Sequence, residues 1–171
     1  MHISVYTPKC SLVPSHFFDP DCARDSLAQV FELDEDDALC FEAMPEYDAV
    51  LLWASSERYE KAIDENGEGS DNTPRPELYY VLKHLPHCQD YNKIVCSIRE
   101  EYLYLAIGQG NNLLLTNVYS ARDFVTALYY IMLAMKSLQM NPEVSTISLL
   151  SPIGPEDEMT LYRYFKAVES L

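Results

Sequence analysis

Hydrophobic and polar residues follow two rhythms along the chain, and the switches between them predict its elements. A period near two over a short run marks a strand, and a period near 3.6 marks a helix. His2–Tyr6 reads as a strand stopped by Thr7-Pro8, and Ser11-Leu12-Val13 as a second extended piece ended by Pro14. Asp19-Pro20 opens a helix, with an N-cap candidate ahead of a proline at the first helical position. Its apolar residues are Cys22, Ala23, Leu27, Val30 and Phe31, and the acidic loop Asp34–Asp37 ends it. Two apolar runs, Ala38–Ala43 and Ala49–Ala54, flank Met44-Pro45-Glu46-Tyr47-Asp48 and predict a hairpin. Ser55 or Ser56 caps a short helix to about Ile63, and the Gly- and Asn-rich stretch Glu65–Thr73 breaks the pattern. Pro76 opens another helix, with Leu78, Tyr79, Val81, Leu82 and Leu85 on one face, and Pro86 closes it.

From Tyr91 the pattern sharpens. Lys93–Ile98, Tyr102–Ile107 and Leu113–Tyr119 are three strands joined by Arg99-Glu100-Glu101 and by Gly108-Gln109-Gly110-Asn111-Asn112. Gly and Asn accept the positive φ angles that tight turns need. Ser120-Ala121-Arg122-Asp123 has the form of a capping box, with Asp in place of Glu. The helix it starts, to about Leu138, is apolar nearly all round, as expected of a helix buried between layers. Asn141-Pro142 stops it. Thr146–Leu150 is an uncharged strand of the central parallel type. Ser151-Pro152-Ile153-Gly154 leads to a last helix, Pro155–Leu171, with three carboxylates at its positive end. The second half is therefore β-β-β-α-β-α, and the fold class is α/β: a mixed sheet flanked by helices.

Charge narrows the function. Twelve Lys and Arg stand against 27 Asp and Glu, a formal charge of −15. Nucleic acids and anionic lipid surfaces are held through Lys and Arg, so neither a nucleic acid nor a membrane is an expected partner. The opening residues lack the regions of a signal peptide. The longest apolar run, Phe124–Met135, is too short to span a bilayer. Five cysteines without paired spacing (Cys10, Cys22, Cys40, Cys88, Cys96) point to a reduced, cytoplasmic protein.

Three antiparallel strands, a helix, a parallel strand and a helix describe a ribonuclease-H-like unit. In duplicate, that unit makes the actin-like ATPase fold. The residues resemble an uncharacterised bacterial family of that fold, a domain of unknown function. They are Thr7-Pro8-Lys9-Cys10-Ser11-Leu12-Val13-Pro14 with Phe17-Phe18-Asp19, then Leu113-Leu114-Leu115-Thr116-Asn117, the paired Tyr129-Tyr130, and Ile147-Ser148-Leu149-Leu150 before a glycine. The resemblance covers nearly the whole chain. It implies an incomplete first ribonuclease-H-like lobe over residues 1–90, without the meander that opens its relatives, and a second lobe over residues 91–171. In relatives a strand stands where this chain has Asn66–Asn72.

The same resemblance says where nucleotide chemistry would lie. The turn between the first two strands of the second lobe should carry a carboxylate for Mg²⁺ and a glycine that lets backbone N–H groups reach phosphate. Here Ser97, Arg99 and Glu100 occupy that degenerate phosphate turn, with Glu101 beside them and no glycine. The adenosine turn should carry a Gly-Gly pair and has only Ser151 and Gly154, the latter between Pro152 and Pro155. A ribonuclease-H-type nuclease needs carboxylates converging on two metals. Ser97 and Ser148 stand on the strands that would supply them.

Other candidate motifs are weaker. Asp64–Asn72 matches the first half of an EF-hand loop, but its twelfth position is Arg75. His84-Leu85-Pro86-His87-Cys88 holds three zinc-type ligands, with a proline between them and no second cluster. Gly108-Gln109-Gly110 joins two strands and reads as a turn. No catalytic residue, metal or cofactor is expected. The reading is a non-catalytic interaction or scaffold protein with degraded nucleotide-binding motifs; the alternative is a divergent ATP-binding protein or ATPase. A protein partner or self-association is expected, and tyrosine is enriched at such surfaces. Core and rim packing accounts for most of Tyr79, Tyr80, Tyr91, Tyr102, Tyr104, Tyr119, Tyr129 and Tyr130, with a partner surface as the alternative.

Overall fold

The computed structural model describes residues 4–56 and 74–171. The chain divides between Tyr79 and Tyr80 into two compact units. The first contains β1 (Ser4–Val5), β2 (Cys10–Pro14), α1 (Ala23–Ala28), β3 (Asp37–Met44), β4 (Ala49–Ser56) and β5 (Arg75–Pro76). Helix α2 (Glu77–His84) crosses the division.

β3 and β4 form the expected hairpin, and β2 pairs antiparallel on the far side of β4, giving the order β2-β4-β3. The connection is a 3₁₀ turn over Pro45–Tyr47, closed by Asp48 at φ 48°. β4 is buried on both faces over 49–55, which explains its unbroken apolar run. Val50, Leu52 and Ala54 pack on Ala23 and Leu27 of α1. Asp19 caps the chain ahead of that helix, accepting the Asp21 N–H at 3.0 Å, with Pro20 starting a 3₁₀ turn. The expected apolar face narrows: Ala23 and Leu27 are buried, whereas Cys22 and Val30 face solvent.

Thr7, in the Thr-Pro-x-x-x-Leu-Val-Pro motif, donates to the Ala54 carbonyl at 2.8 Å and accepts the Lys9 N–H at 3.2 Å. The motif thus staples the link between β1 and β2 to β4. His2, the helix expected beyond Ser56 and most of the EF-hand-like stretch lie outside the described residues. Ser55 and Ser56 themselves belong to β4.

The second unit contains β6 (Asn92–Arg99), β7 (Tyr102–Gln109), β8 (Asn112–Ser120), α3 (Phe124–Ser137), β9 (Thr146–Leu149), α4 (Pro155–Tyr162) and β10 (Ala167–Ser170). Its sheet order is β10-β9-β6-β7-β8. β6, β7 and β8 form the antiparallel meander, while β9 runs parallel to β6 and β10 parallel to β9. Alternate residues Ile94 and Cys96 of β6, and Leu103, Leu105 and Ile107 of β7, face one core with Ala127, Ile131 and Met135 of α3. Leu161 and Phe165 complete it from α4 and the chain beyond.

Three expectations in this unit are corrected. The cap of α3 is Asp123, whose Oδ1 accepts the Thr126 N–H at 2.7 Å, while Ser120 ends β8. Helix α3 is also not buried all round: Val125, Tyr129 and Leu133, four residues apart, are 75%, 61% and 47% exposed. Finally, the helix expected to run to Leu171 ends at Tyr162, and Ala167–Ser170 form β10. Leu161, Phe165 and Val168 recur at helical spacing, so periodicity alone reads one helix. Pairing of Ala167–Ser170 along the free side of β9 decides otherwise.

Candidate functional site

The carboxyl ends of the parallel strands β6 and β9 lie side by side, and in open α/β sheets that end is where ligands are received. The structure brings the two predicted turns together there. Ser97 is fully buried in β6, opposite Tyr104 of β7. Arg99 pairs with Tyr102 as the last rung of the hairpin, leaving Glu100 and Glu101 as a two-residue loop. Ser151, buried just beyond β9, accepts the Ile98 N–H through Oγ at 2.9 Å. The Leu150 N–H donates to the Cys96 carbonyl at 2.9 Å. Ser151 is therefore a latch that holds the end of β6 against the loop leaving β9.

Glu100 and Glu101 have φ of 47° and 66°. Two left-handed residues between paired strands make a type I′ turn, for which Asn-Gly is the low-cost choice. Glutamate in that conformation is strained by about 1–2 kcal/mol per residue. Both side chains are exposed. The Ala121 N–H donates to the Glu101 carbonyl at 2.7 Å, tying the turn to the exit of β8.

Gly154 is the N-cap residue of α4 at φ −69° and ψ 155°, an ordinary extended conformation. A Cβ built there would meet Asp157 Oδ2 at 3.8 Å, a normal contact. Its backbone does not require glycine. The first turn of α4 carries Glu156, Asp157 and Glu158.

The remaining candidates have structural roles. Gly108 sits at a register shift between β7 and β8, where a Cβ would lie 2.9 Å from the Asn112 carbonyl oxygen. Gly110, at φ 55°, packs against the Tyr91 ring and donates its N–H to the Tyr91 carbonyl at 2.9 Å. Cys88 Sγ lies 3.7 Å from the His84 carbonyl and 3.8 Å from Ser148 Oγ, and burial pushes its thiol above the ordinary range. Burial likewise raises Cys96, to about 12, and raises Cys10. These thiols behave as core groups rather than nucleophiles. Among the described residues, no group of three His, Cys, Asp or Glu side chains is placed to hold a metal.

Sequence reasoning missed two polar clusters, because each joins residues far apart in the chain. In the second unit Asp90 accepts from Thr146 Oγ1 and pairs with Lys166 at 3.2 Å. In the first, Lys9 Nζ lies 2.5 Å from Asp37 and 2.9 Å from Asp34, beside a cleft of about 210 Å³. Asp37 is buried, which opposes its ionisation. The Lys9 ammonium and the Asp34 N–H at 2.8 Å outweigh that and hold its carboxyl below the usual value of 3.8. The Asp37 hydrogen bond leads the effects that hold the Lys9 pKa above its own. Arg24 donates to the carbonyls of Asp37 and Asp34 at 3.0 and 3.1 Å, so these groups lock the loop between α1 and β3.

A meander-helix-strand-helix sheet in the order β10-β9-β6-β7-β8 defines an α/β protein of the actin-like ATPase fold. A protein from Bacteroides thetaiotaomicron VPI-5482, described as having an actin-like ATPase fold and unknown function, superposes with a TM-score of 0.79 at 14% identity. The match covers 99% of this chain and 67% of that one. A structure of the PilM-PilN type IV pilus biogenesis complex matches with a TM-score of 0.53 at 15% identity, covering 95% of this chain and 65% of that one. The chain thus spans about two thirds of the length of each. Residues 1–168 match the family model for protein of unknown function (DUF3822), and the chain belongs to that family. No curated protein matches the sequence. Among the described residues, no helix is long and apolar enough to cross a membrane.

Proposed function

We propose that this chain is a non-catalytic interaction or scaffold module built on the actin-like ATPase fold, its nucleotide turns no longer shaped for a nucleotide. The observation that carries the reading is the β6–β7 hairpin. Where phosphate would need a glycine and converging N–H groups, there is a strained pair of exposed glutamates. Ser97 and Ser151 at the same end are spent on burial and on the latch to Ile98. In this reading residues 91–171 correspond to one ribonuclease-H-like lobe and residues 1–90 to part of another. The buried, high-pKa thiols of Cys10 and Cys96 suit a reducing cytoplasm. The fold match to a pilus biogenesis complex is consistent with a role in binding protein.

The competing reading, a divergent ATP-binding protein or ATPase, rests on the fold. Thermal melting with 5 mM Mg²⁺-ATP separates the two, because a ligand that binds only the native state raises the midpoint. No shift is expected, and stabilisation by several degrees would overturn the non-catalytic reading.

A further inference from the structure

Ala127, Ile131, Ala134 and Met135 of α3 are buried in the core of the second unit. On the other side of the same helix, Val125, Tyr129, Met132 and Lys136 succeed one another at spacings of four, three and four residues. Val125, Tyr129 and Lys136 are exposed, Met132 is half-buried, and the exposed Leu133 stands beside them. This spacing lines residues along one side of a helix, and it is the spacing through which one helix seats another. A helix that packs through a single face ordinarily carries polar residues on the other. Here that face carries valine, tyrosine, methionine and leucine. The seam is also backed: Tyr129 meets Tyr130 edge-on at 5.4 Å, and Tyr130 stacks on Tyr119 of β8 at 4.7 Å.

We propose that this outer seam of α3 is the docking site for an amphipathic helix of a partner protein that sets a carboxylate opposite Lys136. The charges on the seam select that occupant. Lys136 is its one ionic position, lies in the last turn of the helix, and forms no ion pair among the described residues. A lysine within an apolar seam fixes register and partner, because it costs stability unless the facing helix answers it. Between Asp123 and Glu143 the chain has no carboxylate to repel an acidic partner. A second copy of α3 answers Lys136 badly. Parallel pairing sets it against another Lys136. Antiparallel pairing about Tyr129 sets it against Arg122, since both lie seven residues from Tyr129. The neighbouring Asp123 is engaged by the Thr126 N–H. An anionic membrane is disfavoured too, with Arg122 and Lys136 set against a chain charge of −15.

The contact is small. A helix of this length runs about 21 Å and is about 10 Å across, giving a footprint of roughly 200 Å² a side. That is well below a standard interface and fits a transient one, with a Kd on the order of 100 µM. The inference rests on the reading of the chain as an interaction module and says what one of its faces receives. Stabilisation by Mg²⁺-ATP would overturn that reading and leave the seam as it is.

Two synthetic 18-residue helical peptides serve as probes, each with a leucine stripe at the same spacing, one flanked at both ends by glutamates and the other by lysines. ¹H–¹⁵N spectra of the full chain are titrated with each to 1 mM at 150 mM salt. The acidic peptide should shift the α3 amides and bind at least fivefold more tightly than the basic one. The charge of the whole chain favours the opposite order, so this preference reports the local pairing. Val125→Glu, at an exposed position, should weaken the acidic peptide at least fivefold with an unchanged melting curve, and Lys136→Glu should reverse the preference. Lys136→Gln, which should abolish the preference, replaces the latter if it fails to fold. Val144→Glu, exposed outside α3, should change nothing. Absence of α3 shifts at 1 mM acidic peptide would overturn the proposal, as would a basic peptide bound there as tightly. So would a dimer in sedimentation equilibrium, or binding to phosphatidylserine vesicles, that Val125→Glu abolishes: the occupant would then be a second copy or a membrane.

Discussion

Replacing Glu100-Glu101 by Asn-Gly should make the protein more stable, although it removes two surface residues that touch no core. Both glutamates sit at positive φ. Glycine at the second position removes a left-handed penalty of about 1–2 kcal/mol, against about 0.5–1 kcal/mol of extra backbone freedom lost on folding. Asparagine at the first tolerates the conformation better than glutamate and relieves roughly another 0.5 kcal/mol. The net gain is therefore about 1 kcal/mol. For a chain of this size that corresponds to about 2–4 °C in melting temperature. Thermal unfolding followed by circular dichroism, with urea titration as a second measure, reads the change directly. Glu100→Ala is the control: alanine pays the same left-handed cost, so the midpoint should stay within about 0.5 kcal/mol of the parent. A double variant no more stable than the parent would refute the reasoning. It would mean that the glutamate side chains make stabilising contacts, or that the turn does not hold left-handed residues.

Three other perturbations follow from the geometry. Thr116 Oγ1 is buried without a hydrogen-bond partner, an arrangement that costs about 1–3 kcal/mol; Thr116→Val should raise the urea midpoint, and a clear loss of stability would show that the hydroxyl has a partner. Gly108→Ala drives a methyl to 2.9 Å from a backbone carbonyl and should destabilise by about 1–3 kcal/mol, read by thermal melting; a neutral result would show the register shift to be soft. Lys9→Met leaves Asp37 buried without its cation, and breaking such a pair should cost about 2 kcal/mol or more. The folded pKa of Asp37 lies below its unfolded value, near 3.8, so its contribution is fully present above that value and is lost as pH falls through the folded pKa. Urea midpoints between pH 3 and 6 should therefore fall less steeply below pH 4 in Lys9→Met than in the parent, and identical slopes would sink the linkage.

The parts of this fold legible in the sequence were those set by local pattern. The meander emerged with its strand ends within one or two residues, because β6 and β7 are short, nearly unbroken apolar runs and glycine or a charged pair marks each turn. The hairpin of β3 and β4 was legible for the same reason. The last strand was not. Leu161, Phe165 and Val168 fit a helical face as well as they fit a helix, a loop and a strand. Only the open side of β9 distinguishes the two, and that is a fact of tertiary structure. At the candidate site, the sequence located both turns but could not show that Ser151 bridges them, since the bond to Ile98 spans 53 residues. Nor could it show that Glu100 and Glu101 are strained, because φ belongs to the folded hairpin.

The strain itself bears on function. A two-residue hairpin loop that only had to turn the chain would be filled at least cost by Asn-Gly, and relaxing it is worth about as much as a good helix cap. The chain instead holds two carboxylates there. It adds three more at the start of α4, at the sheet end where a helix terminus and paired strand ends would otherwise attract an anion. Arg99 precedes the pair and Arg122 follows Ala121, whose N–H donates to the Glu101 carbonyl, so the turn's surroundings carry positive charge as well, but glycine is missing from the hairpin and is not required at Gly154. Under the proposed reading, electrostatics and backbone shape would disfavour phosphate by independent routes. If repulsion is the larger of the two, Glu100→Gln with Glu101→Gln should bring measurable Mg²⁺-ATP stabilisation while keeping the strained turn. If shape is the larger, only the glycine-bearing variant should respond. If neither responds, the fold has lost the nucleotide site beyond this turn.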